Sequence, residues 1–148
     1  MTTTNVSLWR SVRKEQFPNG TVVDNVPVTG VLYPDFYERE LPSGDIRAPD
    51  VSVFKDENSV EWVREGGGTS LFDKDKVFKS KSWLSFSIPG GTLIPDSLIV
   101  RETGYNKRFA ATHYQIECRA KMMRMDAFKG ALDNFARNAL VRSVELSG

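Results

Sequence analysis

The most regular pattern in the chain is a run of apolar residues at helical spacing near its C-terminal end. The members of this run are Phe128, Leu132, Phe135, Ala136, Ala139, Leu140 and Val144. Charged and polar residues stand between them, namely Lys129, Asp133, Arg137 and Asn138. Apolar residues three and four positions apart share one face of a helix. The pattern therefore predicts a long amphipathic helix that packs one face against the rest of the protein.

The chain before this helix has the pattern of short strands separated by turns. Alternating or continuous apolar runs occur at 6–12, 51–54, 60–63, 83–88, 98–101 and 111–118. Turn residues recur between positions 18 and 49, which predicts a long irregular excursion. Residues 66–73 are interpreted as a glycine-rich turn that enters a helix, with Ser70 and Asp73 at capping-box spacing. Strands followed by a long helix predict an α+β fold.

The counts of histidine and cysteine exclude several kinds of site. The chain has 148 residues with one histidine and one cysteine, and its length fits a single domain, 1–148. One copy of the chain cannot form an intrachain disulfide, a CxxC redox pair or a zinc site with several His or Cys ligands. We therefore expect no metal at the site, and any histidine chemistry must use His113.

Charge and hydropathy constrain the partners and the location. The net charge is +1, which disfavours a nucleic acid as the partner, although residues 101–148 hold nine basic and five acidic side chains. No basic flank followed by an apolar run opens the chain, and the longest uncharged stretch, 82–95, is too short to cross a bilayer. We expect a soluble protein with no membrane partner, which uses a leaderless route if it is exported.

Arg10 interrupts the apolar face formed by alternate residues of segment 6–12. A guanidinium directed into a core or cleft is costly unless an anion or several acceptors meet it. One interpretation places Arg10 on the solvent face through a register shifted by one residue. The other holds Arg10 on the strand as a bidentate ligand for a carboxylate or phosphate.

Two further groups of polar residues are candidate sites. The glycine-rich turn with Thr69 and Ser70 offers backbone N–H groups and two hydroxyls to an anion, although helix capping after a flexible turn is the favoured interpretation of this segment alone. His113, Gln115 and Glu117 alternate along one strand, so their side chains lie on one face about 6.6 Å apart. That face is either a polar groove or the ordinary solvent face of a half-exposed strand.

Five blocks of the sequence, in the same order, resemble one family of small bacterial cytotoxins. The blocks are Leu-Trp-Arg at 8–10, Arg-Ala-Pro-Asp at 47–50, Gly-Gly-Thr-Ser-Leu-Phe-Asp at 67–73, and the segments 105–114 and 132–139. The family is that of the NAD-dependent-type cytotoxins exported by the bacterial type VI secretion apparatus as its second effector. The resemblance covers about residues 5–142.

The resemblance implies a fold and a substrate. The fold is like that of the ADP-ribosyltransferase toxins, with a mixed or antiparallel β core split around a cleft for NAD, the substrate, and a C-terminal helix. The resemblance assigns NAD binding to Arg10, Gly68, Thr69 and Ser70. Arg47 is added as a residue of the cleft rim, because Pro49 restricts Ala48 and holds the neighbouring backbone extended. The candidate catalytic residues are Thr69, Ser70, His113, Gln115 and Glu117, although the last three do not lie in the superfamily's usual acidic motif.

The implied function is that of a secreted effector in competition between bacteria. It is made in the bacterial cytoplasm, exported by the type VI apparatus and active in the recipient cytoplasm on an unknown target, as an ADP-ribosyltransferase or an NAD glycohydrolase. A cognate immunity protein would protect the producer. Two alternatives stay open: a non-enzymatic binding toxin on the same fold, and an RNA-directed toxin that uses the basic segment 101–148 and His113.

Overall fold

The computed structural model describes residues 2–148 and consists of short β-strands followed by one long α-helix. The strands are β1 (Thr2–Thr3), β2 (Leu8–Arg13), β3 (Val22–Val23), β4 (Val26–Pro27), β5 (Arg39–Glu40), β6 (Ile46–Arg47), β7 (Val53–Lys55), β8 (Glu61–Arg64), β9 (Thr69–Phe72), β10 (Trp83–Ile88), β11 (Leu93–Ile94), β12 (Leu98–Asn106), β13 (Ala111–Cys118) and β14 (Met122–Arg124). The helix α1 spans Met125–Ser147, and a short 3-10 helix spans Lys14–Gln16. Within residues 2–148, no helix has both the length and the apolar character needed to cross a membrane.

The main sheet has five antiparallel strands in the order β10-β2-β9-β13-β12. β2 pairs with β10 over six residues, and β9 pairs with β13 over four. The central strands β2 and β9 share a single bridge, in which Trp9 lies opposite Phe72. Beyond that bridge the two strands separate, so the sheet is split near its middle.

The C-terminal helix packs along the apolar side of this sheet and confirms the predicted amphipathic helix. Its buried residues are Met125, Phe128, Leu132, Phe135, Ala136 and Ala139. They contact β10 and β11 of the core and the smaller sheet β14-β8-β7. The packed face ends near Ala139, and Val144 is 64% exposed although it continues the apolar spacing.

The irregular excursion predicted over 18–49 is confirmed and contains two short hairpins, β3-β4 and β5-β6. Its middle is anchored in the core by Val31 and Leu32, which are fully buried. Asp133 of the helix fixes the same segment, because its carboxylate accepts hydrogen bonds from the Gly30 N–H at 3.0 Å and the Tyr33 hydroxyl at 2.7 Å. The excursion is therefore attached to α1 at a defined place.

The predicted helix after the glycine-rich turn is wrong, because residues 69–72 form the central strand β9. Residues beyond position 73 lack apolar positions at helical spacing, and the Asp73 carboxylate accepts a hydrogen bond from the Thr112 N–H instead of capping a helix. The glycines are required by close packing. A Cβ on Gly67 would lie 2.2 Å from the Asp50 carbonyl oxygen, and one on Gly68 would lie 1.7 Å from that of Ile116.

The remaining strands agree with the sequence except at their ends. Strands 83–88 and 111–118 have the predicted bounds, whereas the first strand begins at Leu8, two residues later than expected. The strand predicted over 98–101 extends to Asn106, because β13 supplies a partner along that length. A bulge between Glu102 and Gly104 accommodates the one residue by which the two strands differ in register.

Gly68→Ala should destabilise the protein strongly. The new Cβ would overlap the backbone of β13, which cannot move away without breaking the sheet, so we expect a loss of at least about 3 kcal/mol in the free energy of unfolding. Gly130→Ala is the matched control, since its Cβ would meet nothing within 4 Å and alanine favours a helix by about 0.5–1 kcal/mol over glycine. Urea unfolding measures both, and equal stabilities for the two variants would contradict the close packing of Gly68.

Candidate functional site

A cleft of about 640 Å³ opens where β2 and β9 separate. Residues 10–13 of β2 form one wall, and Ser70, Phe72 and His113 form the opposite wall. The excursion supplies a third side through Tyr33 and the charged residues around Arg47. The volume lies in the range of small-molecule sites.

Arg10 lies on the inner face of β2, which makes the solvent-face alternative wrong. Its neighbours on that face, Leu8 and Val12, are buried. The guanidinium donates hydrogen bonds to the Ser70 carbonyl oxygen at 3.3 Å and the Tyr33 carbonyl oxygen at 2.9 Å. Its Nε is enclosed and has no hydrogen-bond partner among residues 2–148. Burial lowers the pKa of Arg10, and the nearby carboxylates of Asp50 and Asp35 oppose this shift.

The cationic charge of Arg10 has no ion-pair partner in the described part of the chain, since no carboxylate lies within ion-pair distance. Neutral carbonyl oxygens compensate a buried charge only in part. An anion with two or more oxygens would complete the coordination of the guanidinium. The arrangement is therefore suited to a phosphate or carboxylate ligand.

The rim of the cleft carries a network of two arginines and two aspartates. Arg47 lies 2.9 Å from the Asp35 carboxylate and 3.4 Å from that of Asp50, and Arg39 lies 3.5 Å from Asp35. Asp50 also accepts a hydrogen bond from the Asp35 N–H at 2.8 Å. The structure thus places the predicted residue Arg47 at the cleft, with its charge already shared between two carboxylates.

His113 faces the cleft from β13, opposite Phe72 of β9. The two rings meet edge to face with centroids 5.1 Å apart. The Nδ1 atom of His113 is hydrogen-bonded to the Thr103 hydroxyl, which stands at the bulge of β12. Partial burial lowers the pKa of His113, and the positive charge of Arg101 lowers it further. Both effects favour the neutral imidazole, and its Nδ1 is already engaged.

Of the two adjacent hydroxyl residues of β9, one reaches the cleft and the other does not. Ser70 lines the cleft, and its hydroxyl has no hydrogen-bond partner within residues 2–148. Thr69 points to the other side, is fully buried and donates to the Leu32 carbonyl oxygen at 2.6 Å. Gly68 lies against the backbone of Ile116 and is also absent from the cleft wall. The anion cradle predicted at a helix start does not form, because β9 is a strand.

Gln115 and Glu117 share the strand face of His113 but lie outside the cleft wall. Glu117 is 5% exposed and forms an ion pair with Arg101 at 2.7 Å. Gln115 donates to the Glu117 carboxylate at 2.8 Å. Both side chains therefore belong to a closed polar cluster next to the cleft. Cys118 at the end of the same strand is buried in the core.

Sequence reasoning missed two features that shape the site. Tyr33 walls the cleft and supplies a carbonyl to Arg10, and Asp133 holds it through a hydrogen bond to its hydroxyl. Desolvation and this bond raise the pKa of Tyr33. Phe78 and Trp83 form another part of the cleft wall. Asp133 stands among the polar positions of the helical pattern, so its spacing gave no signal for the first feature.

Two comparisons with known proteins, one with a family model and one with a relative, identify the same family. The family model described as Tse2 ADP-ribosyltransferase toxin matches residues 3–144. The Toxin Tse2 of Pseudomonas aeruginosa is 36% identical in an alignment 151 positions long, which covers 96% of this chain and 92% of that protein. These matches confirm the resemblance drawn from the sequence blocks, and the mixed antiparallel core with one C-terminal helix agrees with the expected fold.

Thr69→Val should lower stability, whereas Ser70→Ala should leave it unchanged. Valine keeps the shape of threonine but removes the donor to the buried Leu32 carbonyl, at a cost of about 1–3 kcal/mol. Ser70 loses no hydrogen bond within the described residues, so a change of less than about 0.5 kcal/mol is expected. Chemical denaturation measures both values. A Thr69→Val protein as stable as Ser70→Ala would show that the buried hydroxyl has no structural role.

His113 should make stability depend on pH near neutrality. Because the folded-state pKa lies below the ordinary value of 6.5, the unfolded chain binds the proton more readily, and stability falls as pH decreases below about 6.5. His113→Gln should flatten this decline. Thermal unfolding between about pH 7.5 and pH 5.5 tests the expectation. His113 is the single histidine of the chain, and parallel profiles for the two proteins would contradict the lowered pKa.

Proposed function

The chain belongs to the Tse2 ADP-ribosyltransferase toxin family, and we propose that it acts as an NAD-dependent enzyme that breaks the bond between nicotinamide and ribose. One observation carries the proposal. The guanidinium of Arg10 stands in a cleft, has no carboxylate partner and keeps one enclosed nitrogen without a hydrogen bond. A buried cation of this kind calls for an anionic ligand.

The residues of the cleft fit NAD as the substrate. Arg10 would bind the pyrophosphate. Arg47 at the rim would add positive charge once its ion pair with Asp35 or Asp50 is broken. A cleft of about 640 Å³ accommodates the nicotinamide-ribose half with the phosphates. Phe72 offers its ring next to His113, where an apolar surface for the nicotinamide is needed.

Ser70 and His113 are the groups best placed to orient the nicotinamide ribose. The Ser70 hydroxyl is free to donate or accept a hydrogen bond at the cleft wall. His113 is held at Nδ1 by Thr103, and its lowered pKa favours the neutral ring, so its Nε2 is left to bond to a ribose hydroxyl. Thr69, Gly68, Gln115 and Glu117 would support the site as positioning residues behind this wall.

Positioning and electrostatics supply the catalysis in this proposal. The C1′–N bond of NAD breaks, nicotinamide leaves with the bonding electron pair, and positive charge develops on the ribose ring. An acceptor oxygen or nitrogen then bonds to C1′ and loses its proton to water. If water itself is the acceptor, the reaction is NAD hydrolysis.

The biological setting is part of the same proposal. Export by a type VI apparatus, entry into a recipient cytoplasm and an unknown target there follow from the resemblance described above. A producer then needs an immunity protein, and a protein that covers the cleft would deny access to Arg10 and Ser70.

A binding toxin on the same scaffold is the second candidate. The carboxylates that line the cleft, Asp35 and Asp50, are both paired with arginines, and Glu117 is paired outside it. No carboxylate of the cleft wall described by the structure is therefore free to act on a ribose. Toxicity without nicotinamide release would favour this candidate.

Arg10→Lys should abolish most of the activity. Lysine keeps the charge but loses the forked donors, and one or two charge-assisted bonds of about 1.5–3 kcal/mol each correspond to at least a tenfold decrease in nicotinamide release.

Ser70→Ala should relieve growth arrest in cells that produce the toxin without its immunity protein. Arg137→Lys, on the exposed side of α1, is the control and should behave as wild type. Normal growth with abundant folded wild-type protein would refute the toxic function.

A further inference from the structure

Two shallow depressions adjoin the cleft and share walls with it. One, of about 510 Å³, shares Phe78 and Trp83 with the cleft, and the other, of about 430 Å³, shares Arg13. We call this surface the basic-aromatic rim. It consists of the two rings Phe78 and Trp83 and the six basic residues Arg13, Lys14, Lys74, Lys79, Lys81 and Arg108.

The positive charge of the rim is nearly uncompensated. Glu15 is the single acidic residue among those that line the two depressions, and it lies 3.6 Å from Arg13. The other five basic side chains form no ion pair with any residue between 2 and 148. All five are exposed. The rim therefore presents free cations at the entrance of the cleft.

A row of aromatic rings connects the rim to the cleft. Phe78 and Trp83 are half-buried and stacked, with centroids 4.5 Å apart. Phe109 meets Phe78 at 5.1 Å and Phe72 at 5.4 Å, and Phe72 lies beside His113. The outer rings are therefore connected through ring contacts to the wall that holds His113.

We propose that the basic-aromatic rim binds a single-stranded nucleic acid and presents it to the cleft as the acceptor. Single-strand binding that tolerates any sequence has two components. Lysines without ion-pair partners bind the phosphates along the strand, and bases stack on aromatic rings. An acidic protein would match the charges but has no bases to stack on the aromatic rings. The binding step rests on the rim alone, whereas the acceptor role rests on the proposed function.

The near-neutral net charge is compatible with this partner. The value of +1 averages over the whole chain, whereas a nucleic acid meets only the local surface. The rim draws on residues 13–14 and 74–81 in addition to Arg108. The basic segment 101–148 considered from the sequence thus contributes one residue to it.

The transfer step is balanced without any further reagent. As the C1′–N bond to nicotinamide breaks, nicotinamide takes the bonding pair. A base nitrogen or a hydroxyl or phosphate oxygen of the strand forms the new bond to C1′, and any proton on that atom passes to water. No oxidant or reductant is required.

The binding test uses the full chain with fluorescein-labelled single strands of about 10 nucleotides, one RNA and one DNA, and no NAD. Fluorescence anisotropy at salt concentrations between about 50 and 200 mM gives the affinity and its salt dependence. We expect saturable binding that weakens as salt increases. The RNA and DNA arms identify the preferred strand, and an oligoglutamate peptide serves as the acidic competitor.

The charge variant is Lys79→Gln with Lys81→Gln, and its control is Lys55→Gln with Lys121→Gln, which removes the same charge from exposed positions elsewhere. If each rim lysine neutralises one phosphate, the rim variant should bind about 25-fold more weakly at 0.1 M salt, with a salt slope smaller by about 1.4. Trp83→Leu should weaken binding about tenfold with little change in slope. Circular dichroism confirms that each variant is folded.

Three results would overturn the inference: no saturable binding of either strand, equal binding by the rim and control variants, or displacement by the acidic peptide as effective as by unlabelled strand. Nicotinamide release from NAD is measured separately, so that a failure of strand binding is distinguished from a failure of the proposed enzymatic function. Mass spectrometry of the oligonucleotide after incubation with the protein and NAD tests the acceptor role. A strand that binds but carries no ADP-ribose would overturn that role.

Discussion

The guanidinium of Arg10 takes the place of a missing strand contact. In a continuous sheet, the carbonyl of Ser70 would accept a hydrogen bond from the backbone of the neighbouring strand. Here β2 and β9 share one bridge, and the Arg10 side chain donates to that carbonyl across the gap. The same guanidinium reaches the Tyr33 carbonyl. A single side chain thereby satisfies backbone groups of β9 and of the excursion, and the cleft exists because the sheet does not close there.

This contact makes the site depend on distant parts of the chain. The excursion reaches the cleft through Tyr33, and Tyr33 is held by Asp133 of the C-terminal helix. Lys129 lies over the rings of Tyr33 and Phe36, 5.7 Å and 5.2 Å from their centroids, and adds to the same junction. The helix covers the core and also fixes one wall of the cleft. Loss of helix packing and loss of the site are therefore coupled.

Local patterns predicted most of the fold. Alternation located β10 and β13, and helical spacing located α1, because in each case periodicity reports one buried face. The central strand β9 was missed because four residues between glycines and charges carry too little periodicity. For the site, the sequence placed Arg10 and His113 on strands but left open which of them faces a cleft. The sequence did not reveal that Thr69 points away from the cleft or that Gln115 and Glu117 pair beside it. Both facts depend on the order and register of the strands in the sheet.

The tie between Tyr33 and Asp133 joins residues that are 100 positions apart. During synthesis the chain leaves the ribosome from its N-terminus, so the strands that carry Arg10 and Ser70 emerge well before the residue that holds the cleft wall. The cleft is complete only when α1 has been made and has folded back on the excursion. Chains that end before Asp133 thus lack the hydrogen bond that holds this wall of the cleft.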